Sequence, residues 1–88
     1  LIGAARSLTR EVGRRGITVN VITPGFIDTD MTAGLDEATK SAILKTIPAA
    51  RYGQPDEVAQ AVEFLVSNSA AYISGAVIPV DGGLGMGH

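Results

Sequence analysis

Asn20-Val21-Ile22-Thr23-Pro24-Gly25-Phe26-Ile27-Asp28-Thr29-Asp30-Met31 decides how this chain is read. A β-branched run, Ile17 to Thr23, reads as a largely buried strand; it meets a Pro-Gly corner at Pro24-Gly25 and continues into a hydroxyl-bearing loop. In open α/β sheets, ligands sit outside the carboxyl ends of the strands, so a Pro-Gly turn there is a place where main chain can approach a cofactor closely. The dipeptide alone is explained by an ordinary turn, because Pro stops the strand and Gly permits a tight corner. Ile27 and Thr29 carry the argument further: a hydroxyl together with unpaired backbone N–H and C=O groups beside a strand end can bind an amide and a phosphate.

Outward from this stretch, Leu1, Ala4, Ala5, Leu8 and Val12 recur at helical spacing, with Arg6, Arg10 and Glu11 toward the other face. No capping residue precedes Leu1, so the chain is expected to enter in the middle of a longer helix, which Gly13-Arg14-Arg15-Gly16 ends. Asp36 is placed to cap a helix through about Thr46, stopped by Pro48. Pro55-Asp56-Glu57 opens a stronger helix, expected over Gln54–Val66, and Ala76 to Val80 reads as a short strand running into Asp81-Gly82-Gly83. Pro79 assigns that strand to an edge or terminal pairing. Two strands joined by helical crossovers should lie parallel, and parallel strands normally need helices on both faces. The fold class is therefore α/β, with further strands expected from residues outside these 88 or from another chain.

Composition narrows the function. Eighty-eight residues make one small domain, and a chain of this size buries only roughly 60–65% of the surface its unfolded form exposes. A net charge of −2 offers no attraction to nucleic acid or to an anionic membrane surface. The absence of Cys removes disulfides, thiolate metal sites and a cysteine nucleophile, and suits a cytoplasmic protein. Nothing resembles a signal peptide, and no apolar run is long enough for membrane insertion.

Other chemistry-bearing candidates have plainer explanations. Gly82-Gly83-Leu84-Gly85-Met86-Gly87 looks like a phosphate loop but no helix follows it, so it is read as a flexible or interface-packed tail. Asp56 and Glu57 stand where a helix dipole favours negative charge, and Asp28 with Asp30 lacks a third metal ligand at a fitting spacing. His88, the one histidine, is read as a solvated end. Met31, Leu35, Ile43 and Ile47 either line an apolar substrate lid or form the inward faces of short helices. No metal site and no catalytic residue is assigned. The two tyrosines, Tyr52 and Tyr72, are followed four positions later by Asp56 and Ala76 rather than by a lysine.

Taken in order, Asn20 to Thr29, then Gly53-Gln54-Pro55-Asp56-Glu57-Val58-Ala59, then Tyr72-Ile73-Ser74-Gly75, then Val80-Asp81-Gly82-Gly83 resembles the C-terminal part of the short-chain dehydrogenase/reductase family. The chain is most similar to its 3-oxoacyl-[acyl-carrier-protein] reductases, and the ending Val80 to His88 resembles the mycobacterial, mycolic-acid type. The resemblance implies the C-terminal part of a Rossmann-type doubly wound parallel sheet, binding NADPH, with NADH also compatible, and a homotetramer. It implies reduction of a 3-oxoacyl thioester, carried on acyl carrier protein or CoA, by hydride from the nicotinamide. The proton-donating Tyr-x-x-x-Lys pair and the phosphate-binding glycine loop would precede Leu1, so the 88 residues alone are expected to be inactive.

By the same resemblance, Pro24 and Gly25 pack against the nicotinamide, the Ile27 backbone meets its carboxamide, and the Thr29 side chain helps hold the carboxamide or pyrophosphate. Met31 and Leu35 belong to a substrate lid. The implied division is 1–16 for the end of the catalytic-pair helix, 17–31 for strand and nicotinamide loop, 32–52 for the lid, 54–66 for a helix and 76–83 for the last strand. Two other readings stand beside this one: a short-chain dehydrogenase acting on another alcohol or ketone, and a non-catalytic segment that only completes a sheet with a partner.

Overall fold

The computed structural model describes residues Leu1 to Met86. Helix α1 (Ile2–Val12) opens the chain without a side-chain cap and passes through a short 3-10 turn, Gly13–Arg15, that Gly16 closes at φ 74°. Strand β1 (Val21–Pro24) follows, then the single-turn helix α2 (Asp30–Ala33) and helix α3 (Glu37–Thr46). Helix α4 (Pro55–Leu65), a 3-10 turn at Asn68–Ala70 and strand β2 (Val77–Val80) complete the order. The two strands are parallel, with Val21 opposite Val77 and Pro24 opposite Val80, as the crossover argument requires. Gly87 and His88, and with them the expectation of a solvated histidine, lie outside the described residues.

Helix starts follow local chemistry. Asp36 caps α3, its Oδ1 accepting the Thr39 N–H at 2.7 Å, and Ile47-Pro48 ends that helix about three turns later. Pro55 occupies the first turn of α4, where its missing N–H costs nothing, and the Glu57 carboxylate accepts the Gln54 N–H at 3.0 Å.

Strand β1 is shorter at its start than the expected Ile17–Thr23 and extends through Pro24. Its early residues are occupied differently. The Asn20 side chain donates to the Ile73 carbonyl (3.2 Å) and accepts from the Ala76 N–H (3.0 Å), supplementing the one main-chain bond that precedes the ladder, from the Gly75 N–H to the Val19 carbonyl (2.7 Å). The run is also half-buried rather than buried, because β1 has a strand on one side only. Val21 and Gly25 donate to the Ala76 and Val80 carbonyls, so the alternate residues Pro24 and Pro79 both turn their N–H-less nitrogens to the outer edges.

Gly82 and Gly83 adopt φ 65° and 94°, and the Asp81 carboxylate accepts the Gly83 N–H (2.9 Å) and the Gly85 N–H (3.0 Å). As far as Met86, the tail read as flexible or interface-packed is wound by Asp81 into successive turns. Ile47, 4% exposed, sits against Gly82, and Ala70 is the other buried apolar residue among those described. The molecule measures 50 × 22 × 20 Å with a radius of gyration of 15.6 Å, whereas a compact chain of this length has about 12 Å. Little core exists; Leu1, Met31, Val66 and Tyr72 are almost wholly exposed.

The carboxyl end of β1 is pinned where Gly25 meets Asp81. A Cβ on Gly25 would lie 2.6 Å from the Asp81 Cβ and 2.9 Å from its Cα, distances that side-chain rotation cannot relieve. Gly25→Ala in the full-length protein is expected to cost about 1–3 kcal/mol. Denaturant unfolding measures it, and an unchanged midpoint would contradict the contact.

Candidate functional site

The sequence-predicted residues lie at the carboxyl end of β1, where the strand leaves its partner and meets a second one. Beyond Gly25 the main chain pairs with the segment before α4: the Gly53 N–H donates to the Phe26 carbonyl (3.0 Å) and the Asp28 N–H to the Gly53 carbonyl (2.8 Å). This is an isolated parallel bridge between Ile27 and Gly53. In such a bridge the flanking residues make the bonds, so Ile27 turns its own N–H and C=O to the opposite side. Among the described residues the Ile27 N–H has no hydrogen-bond partner, and its carbonyl receives only a long contact, 3.4 Å, from the Thr32 hydroxyl. A donor and an acceptor thus stand side by side on one residue, fixed by a bridge that does not consume them.

Thr29 is the N-cap residue of α2. Its N–H donates to the Thr32 hydroxyl (2.8 Å), its carbonyl accepts from that hydroxyl (2.8 Å) and from the Ala33 N–H (3.0 Å), and the residue is exposed. Pro24 and Gly25 line an open groove of about 550 Å³ together with Ile2, Arg6 and Leu84; Ile27 and Thr29 do not line it. Met31 projects from α2 at 86% exposure, while Leu35, just past that helix, is half-buried. The Pro24–Gly25 pair and the Ile27–Thr29 pair are therefore neighbours along one loop that present to different surroundings. Asp28 and Asp30 fall in no group of three or more candidate metal ligands among the described residues.

Sequence reasoning missed how the loop is held. Arg51 forks onto Glu57, Nη1 to Oε1 at 2.7 Å and Nη2 to Oε2 at 2.9 Å, and Nη1 also donates to the Tyr52 carbonyl at 3.1 Å. Charge-assisted pairs of this shape fix geometry as well as adding energy. The sequence reads Glu57 as a capping and dipole residue, and it does accept the Gln54 N–H; its second role spans six positions from loop to helix, outside the helical i+3 and i+4 templates. The signal was the capping-box order Gln54-Pro55-Asp56-Glu57 with an arginine just upstream.

The Arg51 hydrogen bonds, then the Gln54 N–H, hold the Glu57 carboxyl down at about 2, far below its ordinary 4.5. Arg51 is raised in return, first by the same hydrogen bonds. Asp36 is held below its ordinary value by the Thr39 hydroxyl and N–H.

The family described as enoyl-(acyl carrier protein) reductase matches residues 1–85, and the chain belongs to it, within the short-chain dehydrogenases/reductases. Among curated relatives, the 3-oxoacyl-[acyl-carrier-protein] reductase MabA of Mycobacterium tuberculosis is 59% identical over all 88 residues, covering 36% of that protein. The 3-oxoacyl-[acyl-carrier-protein] reductases FabG of Pseudomonas aeruginosa and of Escherichia coli are 56% and 54% identical over 98% of this chain, covering 35% of each. The chain thus spans about a third of the length of the relatives it matches. Among the described residues no helix is long and apolar enough to cross a membrane.

The depressed Glu57 value carries a sign. A carboxylate with a lower folded value stabilises the fold fully above its unfolded value, 4.5, and loses that contribution as pH falls through about 2. In the full-length protein, the unfolding midpoint of the wild type should fall between these limits more steeply than that of Glu57→Gln. Thermal unfolding across this pH range reads the difference, and parallel curves would show that the fork adds nothing in solution.

Proposed function

We propose that this chain forms the nicotinamide-side third of an NADPH-dependent reductase of 3-oxoacyl thioesters carried on acyl carrier protein or CoA, in fatty-acid or mycolic-acid elongation. One observation carries the reading: the N–H of Ile27, unpartnered among the described residues, and its carbonyl, which receives only the long Thr32 contact, held side by side at the carboxyl end of β1. A primary carboxamide presents the complementary pair, an oxygen to accept and an NH₂ to donate, so the donor set fits the nicotinamide end of the cofactor. The names of the relatives support the substrate class. NADH would meet the same residues.

When bound, NADPH supplies the hydride that reduces the 3-carbonyl to the alcohol. The residues of this chain bind and orient. Ile27 fixes the carboxamide rotation and thereby the face of the ring; the Thr29 hydroxyl, exposed at the start of α2, adds a bond to the carboxamide or pyrophosphate. Gly25, whose side-chain position is taken by Asp81, lets the main chain turn close to the ring at the strand end. Orientation of this kind supplies a large part of the rate in cofactor enzymes. The 32–52 segment acts as a lid, with Met31 at its base and Leu35 offering flexible apolar contact to an acyl chain. Its subunits assemble as a cytoplasmic homotetramer, in which the apolar face of α1 and the outer edge of β2 are covered.

The family description names an enoyl reduction, and that second reading differs in the bond reduced. The full-length protein should consume NADPH with acetoacetyl-CoA and not with crotonyl-CoA. NADPH absorbance follows both, and the reverse preference would favour the enoyl reading; no turnover with either would leave the non-catalytic reading.

Thr29→Val should remove one bond to a polar cofactor group, roughly 1–3 kcal/mol or about 5- to 150-fold in kcat/KM for NADPH. Steady-state kinetics at unchanged thermal stability measures it. Wild-type kcat/KM would show that Thr29 only caps α2.

A further inference from the structure

The geometry points to Arg51 and Glu57 as a positioning pair for the nicotinamide loop, acting through Gly53. This rests on the NADPH reading for its effect on binding, and on the fold alone for its effect on the bridge. Neither residue reaches the Ile27 amide. Both act on the segment that holds it.

The chain of contacts is continuous. Glu57 sits on the first turn of α4 and is fixed there by the Gln54 N–H, 3.0 Å from Oε1. Its two oxygens receive the Arg51 fork at 2.7 and 2.9 Å, and Arg51 also binds the Tyr52 carbonyl at 3.1 Å. Arg51 and Gln54 are thus tied directly to one carboxylate, Tyr52 is held through its carbonyl on the Arg51 guanidinium, and Gly53 is the residue between them. Gly53 in turn makes both bonds of the bridge, to Phe26 and to Asp28. The segment is seated closely: a Cβ on Gly53 would lie 3.0 Å from the Ile27 Cδ1, and the Tyr52 ring meets the Phe26 ring edge-on at 6.5 Å.

An isolated bridge of two hydrogen bonds is weak support on its own, since each contributes only about 0.5–1.5 kcal/mol. The rest of 51–54 lies outside any strand or helix, so without an external tie this loop would sample other conformations. The fork supplies that tie from a helix. Arg51 is 59% exposed and Glu57 37%, so their exposed pair is a poor source of global stability. Its bidentate geometry, with each end also bonded to main chain, suits it to setting position. Loss of the fork should therefore loosen the Ile27 donor–acceptor pair more than it unfolds the protein.

The test uses the full-length protein and two variants, Glu57→Gln and Arg51→Lys, the second keeping the charge while losing the fork. Hydrogen exchange at pH 7 reads the Gly53 and Asp28 amides, and calorimetry reads binding of NADPH and of 2′,5′-ADP, which carries the adenosine phosphates but no nicotinamide. In Glu57→Gln both amides should exchange faster, and NADPH should bind about tenfold more weakly while 2′,5′-ADP is unaffected. Arg51→Lys should fall between wild type and Glu57→Gln. Unchanged exchange at Gly53 and Asp28 would overturn the positioning role, as would equal weakening of both ligands, which marks a general structural loss. A wild-type protein that binds no NADPH would overturn the functional reading instead, and the exchange arm would still decide whether the fork holds the bridge.

Discussion

A parallel bridge spends the hydrogen bonds of a residue's neighbours and leaves its own pointing away, and the loop after β1 depends on that constraint at Ile27. Strand β1 pairs with β2 up to Gly25 and then transfers to Gly53, so the main chain stays fixed beyond the sheet. A free loop would present the Ile27 N–H and C=O with no defined direction. Here the direction is set by Gly53, and Gly53 is set by its neighbours' attachment to α4.

The same economy recurs along the chain. Few side chains are buried, and most of the polar ones with assigned partners satisfy main chain where regular structure stops. Asn20 bridges the gap before the ladder begins, Asp36 and Glu57 close helix starts, and Asp81 winds the turn after β2. Such bonds hold local geometry without a core. Ile47 and Ala70 cannot supply the burial that a stable domain of this length needs, and α1 and α4 carry exposed apolar residues among those described.

Periodicity and capping made the helices legible: the alternation of apolar residues placed α1 and α4, and Asp36 with Pro48 bounded α3. The parallel relation of the strands followed from their crossover. The start of β1 did not, because β-branched Ile17 to Val19 read as strand, whereas before Val21 the partner segment turns at Gly75, φ 75°, and meets Val19 through one main-chain bond and the Ser74 hydroxyl rather than a regular ladder. Pro24, Gly25, Ile27 and Thr29 could be singled out by residue type and order. The pairing that gives Ile27 its free amide joins positions 27 and 53, and the fork joins 51 and 57. Contacts of that separation leave no periodic trace in one sequence.

The most direct measurement is the amide proton shift of Ile27 in the full-length protein, followed as NADP⁺ is added and again with an analogue lacking the carboxamide. With NADP⁺ the Ile27 proton should move strongly downfield as it gains its first partner, while those of Asp28 and Gly53, already bonded, move little. The analogue should leave Ile27 near its free position. A silent Ile27 with large shifts at Asp28 or Gly53 would mean that the bridge opens on binding, and would contradict the account.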